Sequence, residues 1–154
     1  MNIKSTTHCP EPAAIAVKDV RVDVTGKGWN PVSWSQEIKS AGHGSSGTIK
    51  FPHGKDNYDI IFNLINNTGH KIRFDASKPV FVERDRPGSP CPSSFNTDQM
   101  LVESCDGDKL VIRNWNVEKM NLHYQLNFVT DKGNPVNPFD PIIQNDGGGV
   151  KSFS

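Results

Sequence analysis

The chain has 154 residues, the size of a single domain that is large enough to bury a hydrophobic core. Its hydrophobic content of 34% is low, and its 13 glycines and 11 prolines indicate many turns without low complexity. The 17 basic and 17 acidic residues balance to a net charge of +0, so the basic excess typical of nucleic-acid-binding proteins is missing. We therefore expect no nucleic-acid partner, and the near-zero charge mildly favours self-association.

The N-terminal residues lack the apolar region of a secretory signal, and no run approaches the roughly 18 apolar residues that span a membrane. We expect a soluble, cytoplasmic protein with no membrane partner. The three cysteines, Cys9, Cys91 and Cys105, have neither the spacing of a disulfide framework nor that of a zinc site. A Cys91–Cys105 bridge would close one loop, but reduced thiols are the expectation in the cytoplasm.

The first predicted strands follow a flexible N-terminal segment, residues 1–12, where Pro10 and Pro12 oppose regular structure. Beyond it, apolar residues recur with the period of two that is typical of a half-buried strand. The apolar parity comprises Val20, Val22 and Val24 on a first strand and Val32 and Trp34 on a second. Residues 48–51 are predicted to form a third, short strand.

The strongest strand pattern in the first half covers residues 58–65. Ile61 and Ile65 make its second parity partly apolar, so we predict a central strand that is covered on both faces. The sequence Asn-Asn-Thr-Gly at 66–69 predicts a hairpin turn, because Asn and Gly tolerate positive φ. A returning strand would then carry Ile72 and Phe74.

The second half is predicted to contain a short strand at 79–82, an irregular loop at 83–98 and then the C-terminal strands. Residues 106–108 form a turn signal, and two alternating segments follow at 110–113 and 122–128. We predict that these segments belong to one antiparallel sheet. The glycine run at 147–149 is expected to open a flexible tail, residues 147–154.

These patterns predict an all-β protein: one antiparallel β-sandwich of about eight strands that spans residues 13–146. No segment of adequate length shows the spacing of an amphipathic helix. The predicted inward-facing residues are Val22, Val32, Trp34, Ile60, Phe62, Leu64, Ile72, Leu110, Ile112, Tyr124, Leu126 and Phe128.

Two C-terminal blocks, YQLNFV at 124–129 and FDPIIQN at 139–145, together with the upstream pair Glu11-Pro12, carry a family resemblance. In these features the chain resembles the DP-EP family of small, uncharacterised bacterial proteins. The resemblance implies an immunoglobulin- or cupredoxin-like all-β domain of unassigned function. It implies no catalytic residues.

A metal-dependent hydrolytic enzyme is the alternative that the histidines suggest. His43 and His53 flank one short strand, and Asp56 lies nearby in sequence, so the three could hold an ion if the chain folds back. An extended strand would instead separate the two rings by roughly 15 Å or more, at about 3.3 Å per residue. A blue-copper site is excluded because the interval from Cys105 to His123 is too long. We expect no metal and no cofactor.

The absence of an intact catalytic motif favours a non-catalytic binding or assembly module. The glycine-rich residues 42–47 match neither a phosphate-binding loop nor a nucleophile elbow. Loops 40–47 and 83–98 are predicted to form the contact surface at one end of the sandwich, for an unknown protein or small ligand. The candidate ligand-binding residues are Trp29, His43, His53, Arg84 and Arg86. A homodimer through an edge strand is a further expectation.

Overall fold

The computed structural model describes residues 19–27, 33–39, 49–54, 57–66, 69–84, 94–133, 136 and 142–149. Within these ranges the regular structure is entirely β, which confirms the predicted all-β class. The described residues form no helix long and apolar enough to cross a membrane.

The strands are numbered here in chain order. They are β1 (Asp19–Lys27), β2 (Ser33–Lys39), β3 (Ile49–Phe51), β4 (Asn57–Ile65), β5 (Ile72–Phe74), β6 (Val80–Arg84), β7 (Met100–Cys105), β8 (Lys109–Asn114), β9 (Lys119–Leu126), β10 (Phe128–Thr130) and β11 (Ile142–Asp146). A five-stranded sheet has the order β2-β1-β4-β8-β7, a four-stranded sheet has the order β3-β11-β9-β6, and β10 pairs with β5 in a separate ribbon. The named strands pair in antiparallel fashion, with the exception of β3 and β11, which are parallel.

The hydrophobic core lies between the two larger sheets, and aromatic rings connect them. Phe62 of β4 contacts Tyr124 of β9 with ring centroids 5.5 Å apart, and Phe51 of β3 contacts Tyr58 of β4 at 4.8 Å. Each such pair stabilises the fold by about 0.5–1.5 kcal/mol beyond the burial of its surface. Buried aromatic side chains of the two larger sheets therefore contact one another.

Burial confirms most of the predicted inward-facing residues. Those that are buried are Val22, Ile60, Phe62, Leu110, Ile112, Tyr124, Leu126 and Phe128. Leu64 and Ile72 are partly buried and pack against the core. Val32 and the side chain of Trp34 lie outside the described part of the chain.

The position of β4 is also confirmed, because it is the middle strand of the five-stranded sheet. Its inward residues Tyr58, Ile60 and Phe62 are buried, whereas Ile61 and Ile65 on the opposite face are half-buried. The second face is therefore covered only in part, where the partly apolar second parity had predicted cover on both faces.

The predicted pairing of strands is wrong at two places. Residues 66–69 do not connect a hairpin, because β4 pairs with β1 and β8 while β5 pairs with β10. The two C-terminal segments do not share a sheet either, since β8 belongs to the five-stranded sheet and β9 to the four-stranded one. Asn116 lies between them in the left-handed region with φ 53°, a conformation that Asn tolerates better than most residues.

The structure contains more strands than the predicted eight or so partly because the long segment at 122–128 divides at Asn127. The backbone of Asn127 links the two ladders: its N–H donates to the carbonyl of Pro79 beside β6, and its carbonyl accepts from the N–H of Asp75 beside β5. The chain thereby passes from β9 to β10 and pairs with β5, where Phe128 and Phe74 stack at 4.7 Å.

The side chain of Tyr124 places a polar hydroxyl group in the hydrophobic core. The Tyr124 hydroxyl is fully buried and has no hydrogen-bond partner among the described residues, and burial raises its pKa well above the ordinary value. Removing an unpaired buried hydroxyl relieves a desolvation cost, so Tyr124→Phe should raise the free energy of unfolding by about 1 kcal/mol. Urea denaturation near neutral pH measures the change.

The same hydroxyl should make stability depend on pH in alkaline solution. The unfolded chain releases the Tyr124 proton near pH 10, whereas the folded chain retains it, so stability falls as the pH rises through that value. Tyr124→Phe lacks this contribution, and its advantage over the natural protein should therefore widen above pH 10. A variant less stable than the natural protein by more than about 1 kcal/mol would instead show that the hydroxyl is paired.

Candidate functional site

A cleft opens where the inward-facing positions of β6 and β9 continue past the end of the core. Val82 pairs with Tyr124, and two residues further along β6 Arg84 pairs with Leu122. Residues two apart on a strand share a face, so Arg84 has the inward parity although it is exposed. The cleft at this end has a volume of about 490 Å³. The lining residues that bear on its chemistry are Arg84, Phe95, Asp98, Glu118, Met120 and Leu122.

One wall of the cleft is a short segment that follows the outer edge of β6. The Val82 N–H donates to the carbonyl of Ser94 at 2.9 Å, and the Asn96 N–H donates to the carbonyl of Val82 at 2.7 Å. These two bonds form a parallel bridge between Val82 and Phe95. The bridge fixes the backbone beside Phe95, whose side chain is 37% exposed.

Buried Gln99 fixes the opposite wall. Its Oε1 accepts hydrogen bonds from the N–H groups of Val117 and Glu118, at 2.9 and 3.1 Å. Its Nε2 lies 3.4 Å from the Glu118 carboxylate, to which it donates. The Gln99 N–H also donates to Thr97 Oγ1 at 3.0 Å. The backbone N–H and the side-chain amide of Gln99 therefore link residues 97–99 to residues 117–118.

Beside Gln99 lies a buried cluster of asparagines that joins the two larger sheets. Asn114 at the end of β8 and Asn145 in β11 exchange side-chain hydrogen bonds of 2.8 and 3.0 Å. Asn114 Oδ1 also accepts the Asn116 N–H at 3.0 Å, and Asn116 Nδ2 donates to the carbonyl of Pro52 at 2.9 Å. These neutral amides satisfy one another, which is typical of a cross-link within a fold rather than of a reactive centre.

The glycine run is held against this cluster, where the sequence predicted a flexible tail. The Gly147 N–H donates to Asn116 Oδ1 at 3.0 Å, and the Gly149 N–H donates to the Asn116 carbonyl at 2.7 Å. The Gly148 N–H donates to the carbonyl of Val117 at 3.0 Å. Gly147 and Gly148 have φ values of +85° and +93°, which side-chain-bearing residues rarely adopt. Residues 147–149 are thus fixed by hydrogen bonds.

The predicted site residues are only partly described. Arg84 lines the cleft. His53 is exposed at the end of β3, where its Nδ1 lies 3.3 Å from the carbonyl oxygen of Asp146, and it is not among the residues that line the cleft. Loop 40–47 lies outside the described residues, and so do Trp29, His43, Asp56 and Arg86. Among the residues that are described, no three His, Cys, Asp or Glu side chains form a group that could hold a metal ion.

Cys105 is a free, half-buried thiol, which contradicts the alternative of a Cys91–Cys105 bridge. Burial, followed by the negative charges of Asp106 and Asp75, raises the pKa of this thiol. A raised pKa reduces the fraction of thiolate at neutral pH, so Cys105 is poorly suited to nucleophilic chemistry.

Sequence reasoning identified Arg84 but missed the other lining residues. Phe95 and Asp98 fall within the predicted loop 83–98, whereas Glu118 and Met120 come from a different part of the chain. Met120 shares the parity of Leu122, and this is the signal that could have placed it on the inward face of β9.

Comparison of the chain with protein-family models, with curated proteins and with solved structures found no significant match.

Proposed function

We propose that this protein is a non-catalytic binding module and that its ligand occupies the cleft between β6, residues 95–98 and β9. The observation that supports this most directly is that one cleft is lined by an exposed ring, Phe95, by the apolar residues Met120 and Leu122, and by charged side chains. The volume of about 490 Å³ lies within the usual range for small-molecule sites.

Apart from the carboxylates of Asp98 and Glu118, the described lining lacks the side chains that most often act as nucleophiles or general bases. It contains no histidine, cysteine or lysine in the part of the chain that is described. Its hydroxyl-bearing residue, Thr97, accepts a hydrogen bond from the backbone of Gln99, so its Oγ1 is used in fixing the wall. An activated nucleophile would require a base within hydrogen-bond reach.

Phe95→Ser should weaken ligand binding by roughly tenfold or more, because an exposed aromatic ring that a ligand covers contributes a large share of the contact energy. Leu101→Ser is the matched control, since Leu101 is the other large hydrophobic residue exposed in the described ranges and is not among the residues that line the cleft. Amide NMR signals recorded during a screen of small molecules provide the measurement.

The expected result is that at least one small molecule shifts the signals of residues 95–98 and 118–122, and that Phe95→Ser removes the effect while Leu101→Ser keeps it. Shifts confined to another surface, or conversion of the added molecule to a product, would contradict the proposal.

We further propose that the two larger sheets form an immunoglobulin- or cupredoxin-like sandwich and that the chain is a cytoplasmic member of the DP-EP family. The ring contacts between β3, β4 and β9 support a sheet-on-sheet arrangement. An experimental structure of a protein from that family would test the proposal, because its strand order should match the order found here.

The proposed homodimer would use β7. This strand is one edge of the five-stranded sheet and exposes Leu101 by 48%, whereas residues 94–96 cover the outer edge of β6. A register shift between Val102 and Ser104 interrupts the edge, so the pairing should involve the beginning of β7. Because the net charge is near zero, electrostatic repulsion between two copies of the chain is weak.

Leu101→Lys should shift the protein towards monomer, because a charge at an edge strand discourages pairing with another edge. Sedimentation velocity over a range of concentrations measures the dimer fraction, and Ser104→Lys, beyond the bulge, is the control that should have less effect. A natural protein that stays monomeric at high concentration would contradict the dimer.

A further inference from the structure

The charges around the cleft are of opposite sign, and those of the described residues form no ion pair with one another. Arg84 lies on β6, Asp98 on the segment after the parallel bridge, and Glu118 immediately before β9. Within the described ranges, neither carboxylate lies within ion-pair distance of the Arg84 guanidinium. A cleft that separates a positive group from two negative groups is complementary to a ligand that also carries both charges.

An apolar surface lies in the same cleft. Phe95 is more than a third exposed, Met120 is half-buried and Leu122 is buried. Met adapts its shape to different apolar groups, and an aromatic face additionally attracts a cationic ammonium group. A ligand that fits this surface needs an apolar group next to its charges.

The walls are ordered by bonds that do not involve the charged groups of Arg84 and Asp98. The backbone bonds of Val82 with Ser94 and Asn96 position Phe95, and the side-chain amide of Gln99 positions residues 117–118. A site whose backbone is fixed in advance loses less conformational freedom when a ligand binds.

We infer that the cleft binds a zwitterion with an apolar side group, such as a free hydrophobic α-amino acid; this inference rests on the proposed binding function. Arg84 binds the carboxylate through the paired N–H donors of its guanidinium. Asp98 and Glu118 bind the ammonium group, and Phe95 and Met120 contact the side group.

Isothermal titration calorimetry with four probes that share one phenyl group tests this assignment. L-phenylalanine carries both charges, phenethylamine carries the ammonium alone, 3-phenylpropionate carries the carboxylate alone, and N-acetyl-L-phenylalanine amide carries neither. L-phenylalanine should bind roughly tenfold or more tightly than each single-charge probe, because every charged hydrogen bond lost is worth at least about that factor. The neutral amide should bind most weakly.

Two arginine variants separate the roles of the charges. Arg84→Gln should weaken L-phenylalanine and 3-phenylpropionate by roughly tenfold and leave phenethylamine unchanged. Arg21→Gln is the matched control, since Arg21 pairs with Asp23 on β1 and is not among the residues that line the cleft. It should leave every affinity unchanged.

The outcomes distinguish this inference from the proposed function. Phenethylamine, 3-phenylpropionate or the neutral amide binding as tightly as L-phenylalanine would overturn the zwitterion and keep the binding module. The zwitterion would also be overturned, and the binding module kept, if none of the four probes binds while a different small molecule shifts the NMR signals of residues 95–98. If no small molecule shifts those signals, both proposals are overturned.

Discussion

Gly149→Ala is expected to lower the free energy of unfolding by about 3 kcal/mol. A Cβ at this position would overlap the carbonyl oxygen of Trp115 and lie 2.8 Å from that of Asn116. Both obstacles are backbone atoms of buried residues, so neither can rotate away as the end of a flexible side chain would. Relief would require the glycine segment to leave its hydrogen bonds with Asn116.

Gly54→Ala is the control for this experiment, because a Cβ there meets no atom within 4 Å. Its effect should stay within about 0.5 kcal/mol, as for other surface substitutions. Guanidinium denaturation of the three proteins gives the comparison. Equal stability of the Gly149→Ala variant and the natural protein would show that residues 147–149 do not remain packed against Trp115 in solution.

Asn114→Ala is expected to cost about 3 kcal/mol, because it leaves buried polar groups without partners. The Asn145 side chain loses both of its bonds to Asn114, and the Asn116 N–H loses its acceptor. Asn121→Ala is the matched control, since Asn121 is exposed on β9, and its effect should be within about 0.5 kcal/mol.

A double-mutant cycle distinguishes the loss of a paired amide from a general loss of packing. Once Asn114 is alanine, Asn145 has already lost its partner, so Asn145→Ala should cost less in that background than in the natural protein. We expect a coupling energy of about 1–3 kcal/mol from denaturant midpoints. Simple additivity of the two substitutions would contradict the reciprocal hydrogen bonds.

The alternation of apolar and polar residues predicted the inward faces of β4, β8 and β9. In a strand with one buried face, every second residue is apolar, so the local sequence shows which face is buried. Tyr124 and Leu126 are examples: both were predicted to face inward, and both are buried. The pairing of strands, in contrast, could not be predicted from the sequence. Nothing local in residues 66–69 indicates that β5 pairs with β10 rather than with β4, since that choice depends on contacts far apart in the sequence.

The candidate site was also only partly predictable from the sequence. Arg84 could be selected from its own surroundings in a polar loop, but the cleft exists only where β6, residues 95–98 and β9 come together. Asn114 and Asn145 carried no sequence signal either. Asn is common in turns, and a reciprocal amide bond between two sheets becomes visible only when the three-dimensional pairing is known.

The place of β11 in the four-stranded sheet has a consequence for synthesis on the ribosome. This strand comes last among the described strands, yet it lies between β9 and β3, and β3 is made much earlier. While the nascent chain still lacks residues 142–146, β3 has no described neighbour to pair with, and its apolar residues Ile49 and Phe51 have no sheet to hold them over the core. Completion of the fold must therefore wait until β11 has left the exit tunnel, and until then the unfinished edges are available to chaperones or to other nascent chains.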